Sequence, residues 1–207
     1  DYLKKLNGMD FSVSRENIIL SQHPTLAYLK EFNFKRIFLM GTTSLKEEFQ
    51  EHGFILTEED PDILVLAFDQ ELTYGRLKKA AYLLQDGIPY IATHPDDRCP
   101  TERGYIPDAG GIAALLSKTT EREPKCFGKP NTDMLEFKLE EIGISTKDAV
   151  LFGDRLYTDI QMGHDAGVET CCVLSGETTP EMIKNNALKP DHVIEGIWQF
   201  LTAIKSI

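Results

Sequence analysis

Short apolar runs alternate with amphipathic segments along almost the whole chain. Apolar runs that are typical of strands cover residues 17–20, 36–40, 63–68, 89–92, 149–152, 170–174 and 192–194. Segments with helical spacing of apolar residues cover 25–32, 44–52, 74–85, 112–119, 132–142, 160–166, 180–185 and 196–204. Near-continuous apolar strands suit a parallel sheet that is covered on both faces. Because strands and helices alternate, the pattern predicts βαβ units and an α/β fold.

Helix ends and one long loop refine this prediction. Gly53 and Gly87 each follow a helical segment, at the position where a left-handed residue commonly ends a helix. Ser44, with Glu47 three residues later, predicts a capping box at the start of another helix. The stretch 93–111 shows no periodicity and is long for a connection, which is typical of a functional loop.

Composition and charge exclude several classes of protein. The 207 residues, 42% hydrophobic and 27% charged, suit a globular protein rather than a disordered or fibrous one. The net charge of -11 disfavours binding to nucleic acid or to an anionic membrane surface. No apolar stretch reaches the ~18 residues of a membrane helix, and no signal peptide is visible. Four cysteines without a CxxC motif, among them the adjacent Cys171 and Cys172, predict buried free thiols and a cytoplasmic protein.

The sharpest chemical signal is an apolar strand that ends in Gly153-Asp154, with Asp159 five residues later. Ligands bind beyond the carboxyl ends of parallel strands, so Asp154 is expected at such an edge. Carboxylate oxygens there suit Mg²⁺, which takes one or two carboxylates together with waters and substrate phosphate. The alternative interpretation makes Asp154 a helix N-cap and Asp159 a first-turn charge.

A second signal is the segment Phe127-Gly-Lys-Pro-Asn-Thr132. Pro130 disfavours helical backbone at Lys129, so the lysine is expected to be extended at a strand-to-helix turn. A cation there can neutralise a phosphate or a catalytic carboxylate. The alternative is a solvated lysine in a tight turn, with Asn131 or Thr132 as the helix cap.

Together, these two segments resemble the third and fourth motifs of the haloacid dehalogenase (HAD) superfamily of phosphotransferases. The resemblance extends to Leu174-Ser-Gly-Glu-Thr-Thr179, which looks like the turn after the fourth motif in the NagD-like, p-nitrophenyl-phosphatase-like branch. The segments Ile91-Ala-Thr-His-Pro-Asp96 and Ile106-Pro-Asp-Ala-Gly-Gly111 look like the cap loop of that branch. The resemblance implies a Rossmann-like core with a parallel sheet and a smaller α/β cap. Residues 34–124 would form the cap, and residues 1–33 and 125–207 would form parts of the core.

The resemblance also implies roles for single residues. Asp154 would bind Mg²⁺, and Asp159 would hold a metal-bound water or brace the site. Lys129 would bind the transferring phosphoryl group, which makes these three the predicted catalytic residues. Thr158 and Arg155 would shape the metal loop. Further substrate contacts are expected from Lys129, Asn131, Arg155, His94 and Asp96. For His94, a surface position beside Pro95 is the equally open alternative.

The first two motifs of the superfamily are not found at their usual place. The segment Ile63–Thr73, with Asp69, imitates the first motif, and Ile37–Ser44 imitates the second, but their order is reversed and both fall in the expected cap. We therefore interpret both segments as imitations that are not the motifs themselves, and Asp69 as a strand-end residue in a turn. The sequence also begins at Asp1 inside an expected helix. We expect the natural protein to be longer and the attacking carboxylate to lie outside this chain.

These observations predict a Mg²⁺-dependent phosphatase that hydrolyses small phosphate monoesters, of the sugar phosphate or nucleotide monophosphate class, through a phosphoaspartyl intermediate. The expected partner is a small phosphorylated metabolite, and neither nucleic acid nor a membrane is expected. The alternative is a non-catalytic phosphate-binding or interaction protein that has lost the first motif. A homodimer through the apolar surface of residues 74–84 is left open, since packing of that helix on a sheet explains the surface equally.

Overall fold

A five-stranded parallel sheet, in the order β2-β1-β3-β4-β7, organises the first part of the chain. The computed structural model describes residues 2–204. An antiparallel hairpin, β5–β6, extends from the connection after β4. The elements of this part are α1 (Tyr2–Asn7), α2 (Gln22–Glu31), β1 (Arg36–Met40), α3 (Thr43–Glu51), β2 (Ile55–Leu56), β3 (Ile63–Leu66), α4 (Tyr74–Gln85), β4 (Tyr90–Ala92), β5 (Arg98–Thr101), β6 (Gly104–Pro107), α5 (Ala109–Thr120) and β7 (Lys125–Cys126).

Both faces of this sheet are buried, which explains why its strands are apolar at successive positions. Ile37 and Leu39 of β1 pack with α2 and α3, whereas Phe38 and Met40 pack with α4 and α5. Successive side chains of a strand point to opposite faces, so a strand with two covered faces needs apolar residues at every position. Phe49 of α3 is fully buried in the first of these layers.

A three-stranded parallel sheet, in the order β10-β9-β8, organises the second part. A π-helical turn, Leu156–Ile160, leads from β8 into α7. The elements of this part are α6 (Asp133–Ile142), β8 (Val150–Gly153), α7 (Gln161–Ala166), β9 (Glu169–Val173), α8 (Pro180–Asn185), β10 (His192–Ile194) and α9 (Ile197–Ile204). The two parallel sheets and their helices confirm the predicted α/β class.

The chain divides into two compact units, and the boundary lies between Phe127 and Gly128. We call residues 1–127 the N-terminal unit and residues 128–207 the C-terminal unit. The predicted cap at 34–124, with 1–33 and 125–207 as parts of one core, stays a prediction. Between residues 2 and 204, none of the helices has both the length and the apolar composition that crossing a bilayer would require.

Three local predictions were wrong. Residues 17–20 are not a strand, because only a short 3-10 turn, Arg15–Asn17, forms there and the following backbone joins no described ladder. The stretch 93–111 is not entirely irregular, because it contains the β5–β6 hairpin and the start of α5. The helix expected from Ser44 begins at Thr43, and no capping box forms there. The carboxylate of Glu71 instead accepts the N–H of Thr43 at 2.7 Å.

The thiol prediction is confirmed for Cys171 and Cys172, which are free and buried on β9. Burial raises the pKa of both thiols. Both side chains are therefore neutral and serve the packing of the C-terminal unit.

Candidate active site

Asp154 lies directly after β8, at the carboxyl end of the three-stranded sheet. Its Oδ2 accepts the N–H of Glu177 at 2.9 Å, and its backbone carbonyl accepts the N–H of Thr178 at 3.0 Å. Gly176 allows this approach, since a Cβ at that position would lie 2.2 Å from Oδ2 of Asp154. The turn after β9 therefore fixes one carboxylate oxygen of Asp154 in place.

Asp159 belongs to the π-helical turn and is 5% exposed. Its Oδ1 accepts a hydrogen bond from Nζ of Lys129 at 2.6 Å, and its Oδ2 accepts the N–H of Arg155 at 3.2 Å. Gly153 gives this side chain its space, because a Cβ there would lie 2.1 Å from the Cβ of Asp159. Asp159 is thus a buried acceptor at the base of the site rather than an exposed first-turn charge.

Lys129 reaches Asp159 from a tight turn before α6. The amide nitrogen of the Asn131 side chain and the backbone N–H of Asn131 both donate to the carbonyl of Gly128, at 3.1 Å each. The Lys129–Pro130 peptide bond is cis. The side chain of Lys129 remains 42% exposed, so the ammonium is paired on one side and open to solvent on another.

The side chain of Arg155 pairs with Glu177, a residue that the sequence analysis did not single out. Nε of Arg155 lies 2.7 Å from Oε2 of Glu177, and the hydroxyl of Tyr157 donates to Oε1 of Glu177 at 2.9 Å. Burial alone would lower the pKa of Arg155, but the neighbouring Tyr157 and Glu177 outweigh burial and raise it. The only sequence signal for Glu177 is its place in the Leu174–Thr179 turn.

His94 and Asp96 lie in the N-terminal unit, in the connection between β4 and β5. Nε2 of His94 is 2.7 Å from Oδ1 of Asp108, and its Nδ1 is 2.8 Å from Oγ1 of Thr93. The backbone N–H of Ala109 also donates to Asp108, which thereby caps α5. The side chains of His94, Asp96 and Asp108 can bring their ligand atoms within 4.8 Å of one another. Asp108, as the partner of His94, was missed at the sequence level.

A cavity of about 520 Å³ next to His94 belongs to the same unit. It lies at the carboxyl ends of β1, β3 and β4. Its polar lining includes Thr42, Ser44, Thr93, His94 and Asp108. Its volume is in the range of small-molecule pockets.

Comparisons with known proteins relate the chain to one family. Residues 126–200 match the profile described as HAD-hydrolase-like, and residues 1–55 match that of haloacid dehalogenase-like hydrolases. A dihydroxyacetone phosphatase of Corynebacterium glutamicum is 32% identical over 194 residues, which are 93% of this chain and 70% of the relative.

Two solved structures have the same fold as this chain. A 4-nitrophenylphosphatase from Thermotoga maritima superposes with a TM-score of 0.94 at 43% identity, covering 99% of this chain and 79% of that one. NagD from E. coli K-12 superposes with a TM-score of 0.89 at 27% identity, covering 95% and 78%. This chain belongs to the haloacid dehalogenase-like hydrolases. It falls in their NagD-like, p-nitrophenyl-phosphatase-like branch, so both the predicted family and the predicted class, a HAD-type phosphatase, are confirmed.

In this HAD-type phosphatase, the predicted residues of the C-terminal unit form one cluster. Lys129, Asp154, Arg155 and Asp159 are linked through contacts with one another or with the Glu177 turn. The roles of these residues in catalysis and binding stay predictions, as do those of Asn131, His94 and Asp96.

The donor set around Asp154 fits the small, hard cation that HAD hydrolases generally use. Within residues 2–204, the structure gives Asp154 a hydrogen bond through Oδ2 and none through Oδ1. Oγ1 of Thr158 is buried and has no hydrogen-bond partner among the described residues. Carboxylate and other hard oxygens are the ligands that Mg²⁺ prefers. The residues that are present therefore suit Mg²⁺.

Proposed function

We propose that this chain acts in a Mg²⁺-dependent phosphatase that hydrolyses small phosphate monoesters. The observation that carries the proposal is the ion pair between the partly exposed Lys129 and the buried Asp159, 2.6 Å apart, directly behind the carboxyl end of β8. Such a pair presents an ammonium at a sheet edge, where phosphoryl groups bind in open α/β folds.

Asp154 would hold the Mg²⁺ through the carboxylate oxygen that the Glu177 turn leaves unbonded. Mg²⁺ would supply positive charge against the oxygens of the transferring phosphoryl group, where catalysis of phosphoryl transfer mostly lies. Lys129, Asn131, Arg155 and Asp159 would act beside the metal, and contacts within the C-terminal unit set the positions of these side chains.

Lys129 would bind the phosphoryl group. An ammonium has three N–H donors, and Asp159 engages one of them, which leaves donors for phosphoryl oxygens. Asp159 itself would brace the site, because both of its oxygens accept hydrogen bonds and its side chain is buried against Gly153. Asn131 and Arg155 would contribute from the same unit. His94 and Asp96, which belong to the N-terminal unit, stay proposed substrate-binding residues.

A phosphoaspartyl enzyme is the intermediate in this proposal, as the family resemblance implies. A carboxylate attacks phosphorus in line, the alcohol leaves, and water then cleaves the acyl phosphate to release phosphate and restore the carboxylate. Asp69 is not assigned to this step: it is 6% exposed, and its Oδ1 accepts the N–H of Glu71 in a turn.

Sugar phosphates or nucleotide monophosphates are the proposed substrate class. The name of the C. glutamicum relative, a dihydroxyacetone phosphatase, supports a small phosphorylated metabolite. The net charge of -11 does not oppose an anionic substrate, because the metal and Lys129 set the local field. A cytoplasmic location belongs to the same proposal.

The test is phosphate release by the full-length protein from 4-nitrophenyl phosphate and from a panel of sugar phosphates and nucleotides. We expect turnover with Mg²⁺, none with excess EDTA, and recovery when Mg²⁺ is restored. Turnover that is unchanged in EDTA would refute the metal requirement. Binding of phosphate without turnover of any ester would favour the alternative, a non-catalytic phosphate-binding protein.

A further inference from the structure

Glu177 joins two segments of the C-terminal unit through both of its carboxylate oxygens. Oε2 pairs with Nε of Arg155 at 2.7 Å, and Oε1 accepts the hydroxyl of Tyr157 at 2.9 Å. Arg155 directly precedes the π-helical turn and Tyr157 lies within it, whereas Glu177 lies in the turn after β9. The side chain of Glu177 therefore links the turn after β9 to the segment that follows Asp154.

The backbone of the same residue contacts Asp154 directly. The N–H of Glu177 donates to Oδ2 of Asp154 at 2.9 Å, and the next N–H, of Thr178, donates to the Asp154 carbonyl at 3.0 Å. Gly176 lies against the same carboxylate, at a distance that no side chain at that position would permit. A shift of this turn would consequently move or free the carboxylate of Asp154.

We propose that Glu177, held by Arg155 and Tyr157, is a positioning residue that sets the metal affinity of Asp154. This inference rests on the proposed function of Asp154 as the Mg²⁺ ligand. Groups that orient a metal ligand through hydrogen bonds typically change metal affinity 10–100-fold when they are removed. Oδ2 of Asp154 accepts the Glu177 N–H, so Oδ1 would be the oxygen that holds the cation.

The test measures metal binding apart from turnover. Mn²⁺ binding to the full-length protein is followed by electron paramagnetic resonance, with Mg²⁺ as the competitor, for wild type, Glu177→Ala and Tyr157→Phe. We expect Glu177→Ala to weaken Mg²⁺ at least about tenfold. Tyr157→Phe removes one hydrogen bond without changing any charge, and we expect it to weaken Mg²⁺ about three- to tenfold.

Glu181→Gln is the matched control, because it removes an exposed carboxylate from α8 of the same unit. We expect its affinity to stay within about twofold of wild type, whereas a purely long-range effect of charge would weaken Mg²⁺ binding in Glu181→Gln as well as in Glu177→Ala. At saturating Mg²⁺, KM for 4-nitrophenyl phosphate should be the same in Tyr157→Phe and Glu181→Gln as in wild type, because both variants keep the pair of Arg155 and Glu177.

Wild-type affinity in both Glu177→Ala and Tyr157→Phe would overturn the inference while leaving the proposed function intact. Wild-type affinity in Asp154→Ala would instead overturn the assigned metal ligand and, with it, this inference. If Glu177→Ala does not fold, as judged by circular dichroism of the metal-free protein, Tyr157→Phe decides the question by itself.

Discussion

Nζ of Lys129 lies 2.6 Å from Oδ1 of Asp159, although 30 positions separate the two residues in the chain. Lys129 comes from the turn before α6, and Asp159 comes from the π-helical turn before α7. Asp159 is buried while Lys129 is partly exposed. The ammonium of Lys129 is therefore held by a buried carboxylate and is still accessible to a ligand.

Replacing Lys129 with Ala should reduce kcat/KM for phosphate esters by about 10²- to 10³-fold, the usual loss when one charge-stabilising donor is removed. Lys129→Arg should recover only part of the activity, because a planar guanidinium does not reproduce the compact ammonium. Steady-state kinetics with 4-nitrophenyl phosphate measure the effect. Lys147→Ala, at an exposed lysine of the same unit, is the control. Activity near wild type in Lys129→Ala would contradict the assigned role.

Asp154→Asn should shift Mg²⁺-dependent turnover to higher Mg²⁺ concentrations while the fold persists. The amide oxygen can still accept the Glu177 N–H, but the negative charge that a Mg²⁺ ligand supplies is lost. Activity as a function of Mg²⁺ concentration measures the effect, and a shift of at least about tenfold in the half-saturating concentration is the smallest change that we expect. The exposed Asp148, changed to Asn, provides the comparison. An unshifted Mg²⁺ curve in Asp154→Asn would count against the ligand assignment.

Gly153→Ala should lower the free energy of unfolding, because the new side chain would clash with Asp159. The added Cβ would lie 2.1 Å from the Cβ of Asp159, so that the π-helical turn must move. Overpacking of this kind typically costs about 1–3 kcal/mol in the free energy of unfolding, which denaturant titration measures. Gly75→Ala is the control, because its nearest atom, Oγ1 of Thr73, would be 3.8 Å from the new Cβ. Equal unfolding free energies for the two variants would show that the contact at Gly153 is unimportant.

Glu71→Gln should make the stability of the protein less dependent on acid pH. The N–H and the hydroxyl of Thr43, and then Lys46, lower the pKa of Glu71 from 4.5 to about 2. A carboxyl group whose pKa is depressed on folding stabilises the folded state above its unfolded pKa, and this contribution disappears as the pH falls from 4.5 toward 2. Wild type should therefore be more stable than Glu71→Gln at pH 6, and the difference should vanish near pH 2.

Denaturant unfolding at a series of pH values measures this difference. Glu47→Gln, at an exposed residue of α3, the helix that carries the Glu71 partners Thr43 and Lys46, serves as the control and should differ from wild type by less than about 0.5 kcal/mol throughout. A Glu71→Gln difference that stays constant from pH 6 to pH 2 would disprove the linkage.

Much of the fold could be predicted because its signals are local. The helix α4 spans Tyr74–Gln85 as expected, and β1 spans Arg36–Met40 as expected, since both have strong periodicity and clear ends. The segment 17–20 was misjudged because an apolar run becomes a strand only when a neighbouring strand accepts its hydrogen bonds. The β5–β6 hairpin was missed because its strands are polar and contain Pro100 and Pro107.

The site could be predicted in part. Lys129, Asp154 and Asp159 stand in motifs whose spacing is visible along the chain, and the structure joins them through the Lys129–Asp159 pair and the turns around it. Glu177 could not be found in the same way. Its importance comes from three contacts with residues 20 to 23 positions earlier, and such contacts leave no periodic signal.

By itself, the sequence determined the α/β class, the parallel and doubly covered sheet, and the identity of the charged residues at the end of β8. These features depend on the order of apolar and polar residues, which each segment carries locally. Only the tertiary structure decided that Asp159 is buried against Gly153, that Asp108 holds His94, and that Glu177 clamps the turn beside Asp154. Such pairings depend on distances of a few ångströms between segments far apart in the chain, which packing alone sets.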